Sequence, residues 1–290
     1  AATTIVDGGG NDHVFNVTAK DVAISGLTLQ NGSSVYGGGI YATNWLTLTN
    51  VNAISNTASE SGGGVYAAAG ASISGGLFQN NSAQNSGEVE ETGGGGLYSG
   101  VGLTIADARF IDNRVTGIGG GGGAYISGTL TLTNVQFLNN SVALTSTTGG
   151  GGAYAVGDMT VAGGLFQGNV CTGDGCQGGA LFTSGVLTVT DARVVDNQAA
   201  DAGGGVAATG DVVISGGVIQ ENRSTSSTGG GAASMTGALT LTNTAVLSNT
   251  ALGNGGGVYA LLGDATIDGG RIQGNTCTDT TCEGGGVFAF

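Results

Sequence analysis

The chain has 290 residues, of which 62 are Gly, none is Pro and only 9% are charged; 40% are apolar and the net charge is −14. That apolar share excludes a disordered linker, and glycine at this level without a strict triplet excludes collagen. Six basic residues against twenty acidic ones exclude a nucleic-acid partner, since a phosphate backbone demands a basic footprint, and no apolar run is long enough for a transmembrane segment.

The opening stretch, residues 1–12, reads as a partial coil. Thr4-Ile5-Val6-Asp7-Gly8-Gly9 resembles Thr266-Ile267-Asp268-Gly269-Gly270 later in the chain and is assigned as a second strand without its first. No basic, apolar leader precedes it, so the chain reads as a mature product. Residues 13–32 form a first full coil, with short extended runs at 13–17, 22–25 and 27–31.

Residues 33–283 repeat one unit, clearest in Gly121–Asn140, GGGAYISGTLTLTNVQFLNN. Three short runs, each apolar on alternate positions, are separated by Gly-rich and Asn-rich corners, the pattern of strands with one buried face. The last Gly of each glycine run (Gly39, Gly64, Gly96, Gly123, Gly152, Gly179, Gly205, Gly231, Gly257, Gly286) recurs about every 27 residues, a period that means stacking. From that glycine to a closing Asn the distance is 17 or 18 residues, whereas from the Asn to the next marker it runs from 8 to 15. One cross-section is constant and one corner takes the insertions. The predicted fold is an all-β, right-handed parallel β-helix (a β-solenoid) of about 11 coils with three strands per coil, in a single domain spanning 1–290.

Three apolar columns are expected to form the core: the residue after the marker Gly (Ile40, Val65, Leu97, Ala124, Ala153, Ala180, Val206, Ala232, Val258, Val287), Leu48 through Ile267 eight residues before the Asn, and Phe78, Phe110, Phe137 and Phe166 with their counterparts three before it. The Asn column itself, Asn56, Asn81, Asn113, Asn140, Asn169, Asn197, Asn222, Asn249 and Asn275, is expected to be a buried hydrogen-bonded ladder. The marker glycines suit positive φ or close backbone approach.

Residues 284–290 repeat a first strand and nothing more. Joining Phe290 to Ala1 of a second copy gives a sequence close to one internal coil, which predicts a subunit interface made of Thr3, Thr4, Ile5, Val6, Val287, Phe288, Ala289 and Phe290. With no amphipathic or polar cap at either end, such halves form a heterologous contact that propagates.

Four cysteines fall as Cys171/Cys176 and Cys277/Cys282, each pair just after a ladder Asn. About four coils, roughly 19 Å at the spacing of stacked strands, separate the pairs, which excludes one shared metal site. Two local disulfides are expected, with free thiols as the alternative; disulfides imply an oxidising, extracytoplasmic setting.

The Gly-Gly-Ala-Leu of Gly178–Leu181 and the Phe-x-x-Asn of Phe78–Asn81, Phe110–Asn113, Phe137–Asn140 and Phe166–Asn169 resemble the repeats of chlamydial polymorphic outer-membrane proteins and related bacterial surface β-helix proteins, over about residues 14–290. That resemblance implies a secreted or surface-displayed protein, often an adhesin or a structural layer.

Chemistry is sparse. His13 is the only His, so no Ser-His-Asp or His-metal constellation exists. Asp107/Arg109 and Asp191/Arg193 recur as Asp-Ala-Arg and read as solvated surface pairs. Asp158, Asp211 and Asp264 fall in alternate coils, about 9.6 Å apart along the stack, too far to share a calcium ion. The expectation is no enzyme, no cofactor and no metal. Tyr41, Tyr66, Tyr98, Tyr125, Tyr154 and Tyr259 follow a small core residue and should point outward, either to stack on sugars or a neighbouring filament or to cover the glycine backbone beside them. Outward Thr pairs such as Thr131/Thr133 resemble ice-binding arrays, with intervening coils breaking the pattern. The function expected is a secreted structural subunit of a cell-surface appendage or matrix that polymerises with itself, head to tail. The alternatives are an adhesin or carbohydrate-binding module, binding glycans or other surface filaments, and a polysaccharide-cleaving enzyme.

Overall fold

In a computed structural model, which describes residues 4–84, 93–144, 149–227 and 229–290, the chain is an all-β parallel solenoid of about 10 turns with no helix among those residues. Every paired strand is parallel to its neighbour, and neighbours come from successive turns. Four sheets run the length of the stack where the sequence suggests three. Taken in chain order within one turn, the walls are exemplified by Ile40–Ala42, Leu46–Thr49, Asn52–Ile54 and Thr57–Ala58. Among the described residues the first and third walls hold eleven strands each, the second and fourth ten each. The fourth wall occupies what reads in the sequence as the start of the variable corner. Most of its strands are two or three residues long, too short to display an alternation.

Register follows the apolar columns. On the second wall Leu48, Ile73, Ile105, Leu132 and Val161 face one another coil to coil, and on the third Phe78, Phe110, Phe137 and Phe166 do the same. The four Phe rings stack with centroids 4.5, 4.6 and 5.6 Å apart and are fully buried. Such ring pairs add about 0.5–1.5 kcal/mol each beyond area burial.

Two core assignments move by one residue. Ala153 pairs with Leu181, and Leu181 with Val206; likewise Val206 pairs with Ala233 and Ala233 with Val258. Ala180 and Ala232 therefore stand in the place of the third glycine, and Leu181 and Ala233 take the inward column. That place does not need positive φ, so alanine is admitted there. Counted from Ala180 and Ala232, both turns regain the 17-residue distance to Asn197 and Asn249 that holds from Gly64 to Asn81. Closeness favours glycine at this place without requiring it: a Cβ on Gly64 would lie 2.5 Å from the Gly96 carbonyl oxygen, yet Ala180 and Ala232 occupy the same place. Positive φ belongs to the glycine two places earlier, as at Gly62 (66°) and Gly121 (68°).

The Asn ladder closes the corner between the third and fourth walls. Asn140 is typical: its Nδ2 donates to the Phe110 carbonyl (2.9 Å) and to Asn169 Oδ1 (3.0 Å). Its Oδ1 accepts from the backbone N–H and the side-chain amide of Asn113 (3.1 and 2.9 Å). The same bonds link Asn56 through Asn275 without a break, and in the first coil Gly32 donates its N–H to Asn56 Oδ1 instead. From Asn56 to Asn249 each amide is saturated by the next, so this buried polar column costs little.

Candidate functional site

The chemistry-bearing side chains fall into four groups, and the stack separates them. The cysteines form two disulfides, Cys171–Cys176 and Cys277–Cys282. Cys171 faces inward on the fourth wall, where Ala83, Val115 and Val142 precede it in register, and these residues with Cys176 make a small core of their own. Cys277 occupies the same place in the last described coil and is partly exposed.

The carboxylates serve corners. Asp107 and Asp191 sit at positive φ (55° and 52°) in the turn from the second to the third wall, in a column otherwise held by Gly and Asn. They form no ion pair with Arg109 or Arg193, contrary to the surface pairs expected, because the left-handed turn sets their direction; Arg109 Nε instead donates to Gln136 Oε1 at 3.1 Å. Asp158 Oδ1 accepts the N–H of Val186 and Asp211 Oδ1 that of Ala238, both at 2.8 Å. Each carboxylate reaches over a glycine of the next coil, Gly185 or Gly237, where a Cβ would collide with it. An Asp in one coil thus requires a Gly at this place in the next, and glycine holds the place in every coil from Gly157 to Gly263. No group of three or more potential metal ligands occurs among the described residues.

The third group is an aromatic ladder on the outer face of the first wall. Ring centroids step from His13 to Tyr41 (5.3 Å), Tyr66 (5.4 Å), Tyr98 (4.6 Å), Tyr125 (5.6 Å), Tyr154 (5.0 Å) and Phe182 (5.0 Å). Phe182 was outside the expected tyrosine set because of the one-residue shift at Ala180. From Tyr41 to Tyr125 the ring planes are within 16° of parallel, so each of these rings offers its face to the next and its edge to solvent, whereas Tyr154 meets Tyr125 edge to face at 89° and Phe182 at 45°. Sugar stacking needs a free face, and along this run the faces are taken. Tyr125 and Tyr154 are buried, and a Cβ built on Gly120 would lie 2.6 Å from Tyr154 Cδ1. The rings roof the glycine corners. Burial, and then the neighbouring Tyr98, Tyr41 and Tyr36, push the Tyr66 phenol up to about 12.

On the second wall, the outward Thr104, Thr131, Thr160 and Thr188 run unbroken in register, while the parallel column mixes Ala106, Thr133, Ala162 and Thr190.

The fourth group is at the ends, and the structure does not bring its members together. Thr3 lies outside the described residues. Thr4–Asp7 is the first strand of the third wall, paired with Leu27–Gln30, not a second-wall strand. Val6 packs on the core while Ile5 is 60% exposed. Asp7 tethers this strand: hydrogen bonds from Gln30, then from the Gly9 N–H and Asn31, hold its carboxyl below the usual range. Val287–Ala289 is the last strand of the first wall, under Val258–Ala260. Phe288 stacks on Tyr259 at 5.4 Å, and Phe290 is 85% exposed. At the first coil Phe15, Val17, Val22, Ile24 and Leu27 line an open concavity of about 360 Å³. At the last, Ile267 is 42% exposed where its counterpart Leu241 is 2%.

No helix is long and apolar enough to cross a membrane among the described residues. Compared with known protein families, curated proteins and solved structures, the chain matches none.

Proposed function

We propose that this chain is a non-catalytic structural subunit of an extracellular filament, a secreted rod that grows by stacking its end coils on those of further copies. The observation behind this reading is the state of the outermost described coils: both expose inward-column apolar residues and an unpaired parallel edge. Such an edge templates another strand, and two unlike faces meeting head to tail repeat without closing. The two disulfides fit an oxidising, extracytoplasmic location at the cell surface or in a matrix.

The joint differs from a simple completion of one coil. One copy supplies a first-wall strand, Val287–Ala289, and the next a third-wall strand, Thr4–Asp7. Among the described residues the first and third walls have eleven strands and the second and fourth ten, so the first and third walls carry the contact. The winding is taken as right-handed, as parallel crossovers almost always are, and eleven rungs at roughly 4.8 Å give an axial repeat of about 53 Å.

Electron microscopy and light scattering of the purified chain at neutral pH test this reading. Thin fibres with that repeat are expected, and a run of aspartates appended after Phe290 should stop growth while leaving the circular dichroism unchanged. Monodisperse single rods across the accessible concentration range would refute it.

A further inference from the structure

The aromatic ladder breaks once. Phe182, Ala207, Ser234 and Tyr259 follow one another in register, so two successive rungs carry no ring. Elsewhere a ring lies over a corner of the preceding coil, Tyr154 over Gly120 and Tyr259 over Gly229. At the two ringless rungs the corners carrying Gln177 and Asp201–Ala202 have no ring over them. The result is a cleft of about 210 Å³, lined by Gln177, Asp201, Ser234, Thr236, Tyr259 and Leu261 among others. At roughly 30 Å³ per water it has room for about seven waters, the scale of one substituted six-membered ring.

Two features give the cleft direction. Tyr259 is stacked on Phe288 on one side; on the other its Cδ2 edge lies over Gly229 and no ring follows, so part of its face lines the cleft. Ser234 is 8% exposed, opens into the cleft and has no hydrogen-bond partner among the described residues. A buried hydroxyl without a partner is uncommon and calls for a ligand or a water.

We propose that this cleft binds one neutral hexopyranose unit, free or as part of a glycan. The C–H face of the sugar covers Tyr259, one hydroxyl satisfies Ser234, and Thr236 and Gln177 reach the remaining polar edge. An aromatic guest would match Tyr259 and leave Ser234 unsatisfied. The net charge of −14 disfavours uronic, sialic and sulfated sugars. This inference does not depend on filament growth.

The test uses the full chain and methyl glycosides of glucose, galactose, mannose and N-acetylglucosamine, with binding read by saturation-transfer NMR and by shifts of the Tyr259 ring. At least one glycoside should bind with a dissociation constant on the order of 1 mM, as a single ring with few polar contacts does. Ser234→Tyr combined with Ala202→Gly recreates the Tyr-over-Gly arrangement and should remove binding, by about tenfold or more. Ser234→Ala, which leaves the packing intact, should weaken it; Tyr259→Ala should abolish it and Tyr259→Phe retain it. The proposal is overturned if no glycoside moves the Tyr259 ring, if Ser234→Ala and the double variant bind as the parent does, if methyl glucuronide binds as tightly, or if p-cresol occupies the cleft while every glycoside fails.

Discussion

Replacing Asn140 by Ala tests whether the buried amide column holds the coils together. The substitution deletes four side-chain hydrogen bonds, two donated and two accepted. The Asn113 N–H and the Phe110 carbonyl lose this partner at a site that is 0% exposed. The Asn113 N–H is left unsatisfied at about 1–3 kcal/mol and the other lost bonds cost about 0.5–1.5 kcal/mol each, so we expect a loss near 4 kcal/mol. That is a large part of the 5–15 kcal/mol typical of a domain. Asn275→Ala is the control. Asn275 makes three comparable bonds at the half-exposed end of the column, where water replaces them, so about 1 kcal/mol is expected. Urea unfolding followed by circular dichroism measures both. Because a stack of repeats can open in parts, amide exchange at Asn113 and Asn140 should accompany it, with protection lost locally in Asn140→Ala. Equal costs at the two positions, or a loss below about 1 kcal/mol at Asn140, would refute the reasoning.

Phe137→Ala removes the middle of the buried ring stack and should cost about 3–5 kcal/mol in the same assay; a loss under about 1 kcal/mol would mean that the column does not carry the core. A mild reductant should open Cys277–Cys282 before Cys171–Cys176, since the latter pair is wholly buried; differential alkylation and mass spectrometry report the order, and the reverse order contradicts the packing described. Tyr66 should ionise near pH 12, after a tyrosine in an unfolded chain, in a titration followed in the ultraviolet. A phenol whose folded value is raised releases its proton more readily on unfolding, so its contribution is complete below about pH 10 and is lost as the pH rises to about 12. Tyr66→Phe should flatten stability across that window, and an unchanged slope would count against the shift.

The repeating cross-section and three of its walls are legible in the amino-acid order. A strand with one buried face imposes a period of two, and a coil of constant girth imposes a constant distance between its corners. Both marks are local, so the Phe column, the Asn column and the pairing of each Cys with its near neighbour can be read along the chain. The fourth wall leaves only one inward residue per turn, such as Ala58, Ala83 or Val115, and one residue cannot show a period. The shift at Ala180 and Ala232 is invisible for a related reason: a corner position with ordinary φ accepts Ala as well as Gly, so the last glycine is an unreliable marker. The wall to which Thr4–Asp7 belongs is equally ambiguous, because strands of the second and third walls both end at a left-handed corner that takes Gly, Asn or Asp. Contacts between coils, which join residues some 25 to 32 positions apart, decide these matters. They turn the faces of Tyr41, Tyr66 and Tyr98 toward the next ring, place a carboxylate over the neighbouring coil's glycine, and leave Ser234 on a rung without a ring. Which residues lie inward follows from alternation along one strand; what each outward residue touches follows from the residue stacked above it, and only the assembled stack supplies that neighbour.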